Sequence, residues 1–213
     1  MEFRLTYDGP LNSSQPDDDR NRNLSQTKRD HKHAIRKSFH PQLKRLWEIT
    51  PFLKTGIGSG PLAMVTESST LIRYDLDFLT AKHSKYGFNF VPLVTGDLDL
   101  SCSLDILFLR SDDWRVLHAG DIDNRIKTLF DALRIPVDNE KYSERTPNAD
   151  EKPFFCLLED DSLITKISVE TDQLLQLPNS AVIATGSNRS EVRLVITVRL
   201  RPREMTLDNM QFG

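Results

Sequence analysis

The sequence has only two cysteines in 213 residues, Cys102 and Cys156. Two thiols so far apart frame neither a disulfide scaffold nor a zinc site, and one of them falls at an apolar position of a strand pattern, so a reducing compartment is expected. Long apolar runs are missing too: no stretch of about 18 apolar residues occurs, which excludes a membrane-spanning helix of the usual length. The first ten residues, MEFRLTYDGP, alternate apolar and polar side chains and lack the basic region followed by an apolar run that marks a secretory signal. A cytoplasmic location is therefore the expectation. There is no internal repeat. A Gly-rich phosphate loop of the Walker kind is also absent, which ranks hydrolysis of small phosphate compounds below other phosphate chemistry. Nor is there a strong excess of one charge. A formal charge of -3 and a pI near 6.0 mean that any polyanionic partner must be held by a local basic surface.

Such a surface has a candidate. From Arg20 to Arg45 nine Lys or Arg face the single acid Asp30, a local excess of +8. Arg22, Lys28, Arg29, Lys32, Arg36 and Lys37 are its candidate DNA contacts, because cations that neutralise phosphates release condensed counterions. A solvated helical face explains the same run without a ligand. The interleaved His31, His33 and His40 read as surface residues rather than as metal ligands.

Hydrophobic periodicity then divides the chain. Residues 2–8 read as a strand, and the Gly/Pro/Ser/Asn/Asp-rich segment after it reads as a mobile loop over about 9–26. A basic helix follows from about Thr27 to Ser38. Pro41 then opens a second helix carrying Leu43, Leu46, Trp47 and Ile49. TPFLKTGIGSGPL breaks regular structure, and 63–83 carries no clear period. Leu98, Leu100, Cys102, Leu104, Ile106 and Phe108 alternate with polar residues as a half-buried strand requires. Further strands are expected over 162–170 and along EVRLVITVRL, with an insertion at about 136–156 and a loose tail at 206–213. The fold class expected is α+β: one domain over 1–205, a mixed sheet, flanking helices and loop insertions.

The chemistry concentrates in GDIDNRIKTLFDAL, residues 120–133. Ile126, Leu129, Phe130 and Leu133 form one apolar helical face, while Asp123, Lys127 and Asp131 run along another side at i, i+4 and i+8. On an extended approach to the helix, Asp121 and Asp123 point the same way with Cα atoms roughly 6–7 Å apart. A dication relieves their repulsion, and Mg²⁺ is commonly held by few carboxylates, with water and phosphate oxygens completing its shell. Lys127, one turn on, balances the acids or holds a phosphate. Helix capping explains either aspartate without an ion. A second acidic group, Glu159, Asp160 and Asp161, stands just before an expected strand. Chain reversal after the helix can bring it beside the first pair; an exposed acidic turn is the alternative.

Taken together, GDIDNRIKTLFDAL and EDDSLI resemble the RusA family of Holliday junction resolvases over roughly 120–164. The family pattern is Asp-x-Asp-Asn-x-x-Lys, an Asp-Ala-Leu helix, then an Asp-Asp pair opening a strand. Asp121, Asp123, Asn124 and Lys127 match the first part, Asp131, Ala132 and Leu133 the second, and Asp160 and Asp161 the third. The resemblance implies a Mg²⁺-dependent (or Mn²⁺-dependent) endodeoxyribonuclease that resolves branched DNA such as four-way junctions. It implies Asp121, Asp123 and Asp161 as the catalytic metal cluster, with Asp160 as the competing third ligand, Lys127 near the phosphate, and a homodimer as the active form. Asn124 would orient a carboxylate or cap the helix, and Asp131 would pair with Lys127 or solvent. The chain is longer than a compact family member and carries an extra loop between Leu133 and Asp160. The competing reading is a nucleic-acid-binding or assembly protein that keeps this fold without cutting.

Overall fold

The computed structural model describes residues 1–13, 22–57, 75–110, 122–137, 145–175 and 191–213, apart from the side chains of 22–25. The strands are β1 (Glu2–Pro10), β2 (Ser84–Lys85), β3 (Phe88–Val94), β4 (Leu100–Arg110), β5 (Phe154–Leu158), β6 (Ile164–Gln173) and β7 (Glu191–Pro202). The helices are α1 (Arg22–Ile49), α2 (Pro51–Thr55), α3 (Leu76–Lys82) and α4 (Ile122–Leu133). The architecture is α+β, as expected, but with two mixed sheets rather than one. The larger has the order β1-β7-β4-β6; the smaller runs β2-β3-β5.

In the larger sheet β7 is antiparallel to both β1 and β4, while β6 is parallel to β4. The alternation seen in the sequence becomes a two-faced surface. Leu104, Ile106 and Phe108 of β4 and Leu194, Ile196 and Val198 of β7 are buried. The opposite face carries cross-strand ion pairs, in which Arg199 bridges Glu2 and Asp105. β6 departs from that pattern: among the described residues it is an edge strand, exposed along most of its length.

The smaller sheet was not legible in the periodicity. β3 and β5 are parallel, and both are buried on both faces, so FNFVPLV and FFCLL lack the alternation that announces a half-buried strand. Tyr86 and Gly87, both at positive φ, form the two-residue hairpin turn between β2 and β3.

Two expectations are corrected here, the helix break at Pro41 and the loose tail, and the bounds of two expected loops are redrawn. α1 is one helix of 28 residues with Pro41 inside it, not two helices meeting at Pro41. Proline removes one backbone donor and costs about 3 kcal/mol in a helix interior. Here Pro41 is exposed, while Ile35, Phe39, Leu43 and Trp47, spaced every four residues, are all buried on one side of it. That continuous apolar stripe outweighs the missing bond. The tail is not loose: Phe212 is fully buried, and the amino terminus of Met1 donates to the carbonyl oxygens of Leu200 and Phe212. The expected insertion at 136–156 contains a 3-10 turn at Ala149–Glu151 and the start of β5, while 138–144 lies outside the described residues. Of the expected loop at 9–26, β1 extends to Pro10, Leu11 is buried and α1 starts at Arg22; 14–21 is outside the description.

Candidate functional site

α4 follows β4 and buries Ile126, Leu129, Ala132 and Leu133. This leaves Asp123 and Lys127, one turn apart, exposed at its N-terminal end. Asn124 is half-buried, and its carbonyl oxygen accepts from the Thr128 hydroxyl. Asp121 precedes the helix and lies outside the described residues, so the expected Asp121/Asp123 pair is described through Asp123 alone.

The C-terminal end of α4 is built differently. Asp131 does not reach Lys127. Its carboxylate takes Lys32 of α1 at 2.7 Å and Arg134 at 2.6 Å. Burial alone would raise its pKa, but the hydrogen bonds and charges of Lys32 and Arg134 outweigh that and hold it below the ordinary carboxylate value. Arg36 of α1, 1% exposed, donates to the carbonyl oxygens of Asp131 and Arg134 at 2.6 and 3.1 Å. It thereby satisfies acceptors that a helix end otherwise leaves bare, and its charge complements the negative end of the dipole.

These contacts redistribute the basic run. Arg36 is corrected from a surface DNA contact to an interior residue. Lys32 is committed to Asp131, and Lys37 pairs at 2.7 Å with the buried Glu151. Further along the run, Asp30 pairs with Arg145. Lys28 and Arg29 are half-buried, and the Arg22 side chain lies outside the description. Much of the local positive charge thus neutralises acids of this same chain.

The histidines are corrected as well: His40 is buried, and His31 and His33 are half-buried rather than surface residues. His40 bridges backbone: its Nδ1 accepts from Phe155 N–H at 2.9 Å, which leaves Nε2–H to donate to Asp150 O at 2.9 Å. His33 lies against the rings of Phe88 and Phe154, and burial with the charge of Arg145 and Arg36 pushes its pKa down to about 4. His31 Nε2 accepts from Asn12 N–H.

The second acidic group lies where β5 leaves its sheet. Ile135 N–H donates to Leu158 O at 3.0 Å, and the 3-10 turn Asp161–Leu163 packs against α4. The chain reversal therefore does bring EDDSLI to α4, but to the end away from Asp123. Asp161, exposed, has its carboxylate 3.7 Å from Arg134. Arg134 follows Asp123 by eleven positions, roughly 16 Å along a helix axis. Asp160 accepts from Ser162 N–H, and its pKa is held below the ordinary value by the Ser162 side chain and backbone. Among the described residues no three His, Cys, Asp or Glu side chains converge as a metal group. The donors are all carboxylate oxygens, a set suited to a hard dication.

A cleft that no local sequence pattern marks lies near the second acidic group. The cleft, of about 520 Å³, opens beyond the C-terminal ends of the parallel strands β3 and β5, where α/β crevices commonly take ligands. Lys82, His83, Lys85, Glu159, Asp160 and Ser162 are among its lining residues. Lys82 pairs with Asp97, and Glu159 accepts from Gly96 N–H. Its lining comes from four separated stretches of sequence, so no local motif announces it.

No family model, curated protein or solved structure matches the chain. The RusA resemblance is carried by its motifs alone. No helix among the described residues is long and apolar enough to cross a membrane.

Proposed function

We propose that the chain is a Mg²⁺-dependent, structure-selective endodeoxyribonuclease acting on branched DNA, in the manner of the RusA family it resembles. The supporting observation is the division of labour on α4: its buried face and C-terminal end are locked into the core, while Asp123 and Lys127 stand exposed one turn apart at its N-terminal end. Asp121 and Asp123 would hold the ion, consistent with the few carboxylates Mg²⁺ usually takes when phosphate oxygens complete its shell. When bound, the dication supplies charge neutralisation to the phosphodiester undergoing hydrolysis. Lys127 contributes a second positive charge to the same phosphate from the adjacent turn. The proposed DNA contacts of α1 are Arg22, Lys28 and Arg29; Lys32, Arg36 and Lys37 of the same run hold groups of this chain.

A second reading, nucleic-acid binding without cutting, is favoured by one observation: Asp161 pairs with Arg134 at the end of α4 away from Asp123. Synthetic four-way junctions separate the two. The nuclease reading requires nicking in Mg²⁺ and none in EDTA, with Asp123→Asn removing cutting while junction binding persists. Full cutting by Asp123→Asn removes this site. Binding without Asp-dependent cutting supports the second reading.

A further inference from the structure

Among the described residues β6 is paired on one side only, with β4. Open edges are normally blunted by proline, a central bulge, brevity or charged side chains, because unpaired backbone groups template association; β6 carries charges of both signs, Lys166, Glu170 and Asp172. β6 has ten residues and no proline. Its one register irregularity against β4 falls at Cys102/Ser103, at the start of the pairing.

Its outward side chains are poorly covered. Ile167 and Val169 stand opposite Leu104 and Ile106 of β4, on the face those residues bury, yet they are 47% and 38% exposed. Among the described residues the core therefore continues onto β6 and ends there partly exposed.

The backbone polarity of this edge follows from one hydrogen bond. Leu174 N–H donates to Arg110 O on the β4 side at 2.7 Å. Backbone groups alternate along a strand, so from Lys166 onward even-numbered residues bond toward β4 and Ile167, Val169 and Thr171 direct theirs outward, while Thr165 sits in the bulge with its hydroxyl donating to Cys102 O.

Outward from Ser168, the strand is chemically palindromic. Thr165-Lys166-Ile167-Ser168-Val169-Glu170-Thr171 pairs like with like, or charge with opposite charge, about its centre. We propose that β6 docks antiparallel on β6 of a second copy of this chain, with Ser168 opposite the partner's Ser168. In that register Ile167 exchanges both backbone hydrogen bonds with the partner's Val169, as its outward groups require. Lys166 faces the partner's Glu170 in the closer, non-hydrogen-bonded class of pair, where side chains approach most nearly. A two-fold axis makes each contact twice, and the two four-stranded sheets become one of eight. A slip of one residue would set outward groups against inward ones, so the register is specified by the backbone as well as by charge.

The RusA resemblance implies a homodimer without saying where the copies meet; β6 supplies that surface, and mass rather than cutting reads it. Light scattering and sedimentation equilibrium on the full chain at micromolar concentration should give a dimer. Lys166→Glu and Glu170→Lys each replace two attractive pairs by two repulsive ones and should each weaken the dimer about tenfold. Both positions are exposed, and unchanged circular dichroism and melting would show the variants folded. An equimolar mixture of the two variants should recover wild-type affinity as a heterodimer, because in both cross-strand pairs an acid of one chain then faces a base of the other. A monomeric wild type, single variants that dimerise as tightly as wild type, or a mixture that fails to recover would each overturn the proposal.

Discussion

Arg36 Nη2 donates to the carbonyl oxygen of Asp131 at 2.6 Å, so a cation of α1 closes the C-terminal end of α4. The last turn of α4 has no basic residue of its own. Arg36→Leu removes the donors to two carbonyl oxygens and should destabilise the fold by about 2–4 kcal/mol. Urea titration checks this, and an unchanged midpoint would contradict the capping role.

The Asp131 carboxylate is the companion case. Asp131→Asn leaves the partly buried Lys32 and the buried Arg134 without their shared anion, a loss expected to cost about 3 kcal/mol. Lys32→Ala should cost less than Asp131→Asn, because its side chain retains 20% exposure and Arg134 still holds the carboxylate. Thermal melts of both variants test that order.

Acid should unfold the protein in a window set by histidine. Burial lowers the pKa of both His33 and His40, to about 4 for His33, where Arg145 and Arg36 add to the shift against the opposing charge of Glu151. Unfolded imidazole titrates near ~6.5. The unfolded state therefore binds protons first, so the stability these groups contribute is complete above that value and is lost as pH falls toward the folded values. Denaturation midpoints should hold steady above pH ~6.5 and decline toward pH ~4. His33→Phe, beside Phe88 and Phe154, should flatten the decline; an unaltered slope would count against His33.

Burial pushes the thiols of Cys102 and Cys156 up to about 12. Little thiolate then exists at neutral pH, and both groups are shielded. The native protein should leave an aromatic disulfide reagent unreacted over minutes, and both thiols should react on denaturation. Fast reaction of either in the native state would place it at the surface.

Strands with one wet face were legible because alternation is a direct imprint of half-burial: β1, β4 and β7 lie close to where the pattern puts them. The same holds for α4, whose Ile126, Leu129 and Leu133 are buried as its period requires. β3 and β5 left no such imprint because both their faces are covered. The continuity of α1 through Pro41 was equally hidden, since a local penalty was overridden by packing that local sequence does not display.

What the sequence determined alone is the set of chemical groups and their local faces: Asp123 and Lys127 one turn apart, and EDD at the head of a strand. Tertiary structure decided what each charge meets. Lys32, Arg36 and Lys37 found partners on α4 and the 149–151 turn, and Asp161 found Arg134 rather than Asp123. Helical and strand periods are set by neighbours a few positions away, whereas the partner of a charge is set by segments tens to about a hundred residues distant, and only the folded chain brings those together.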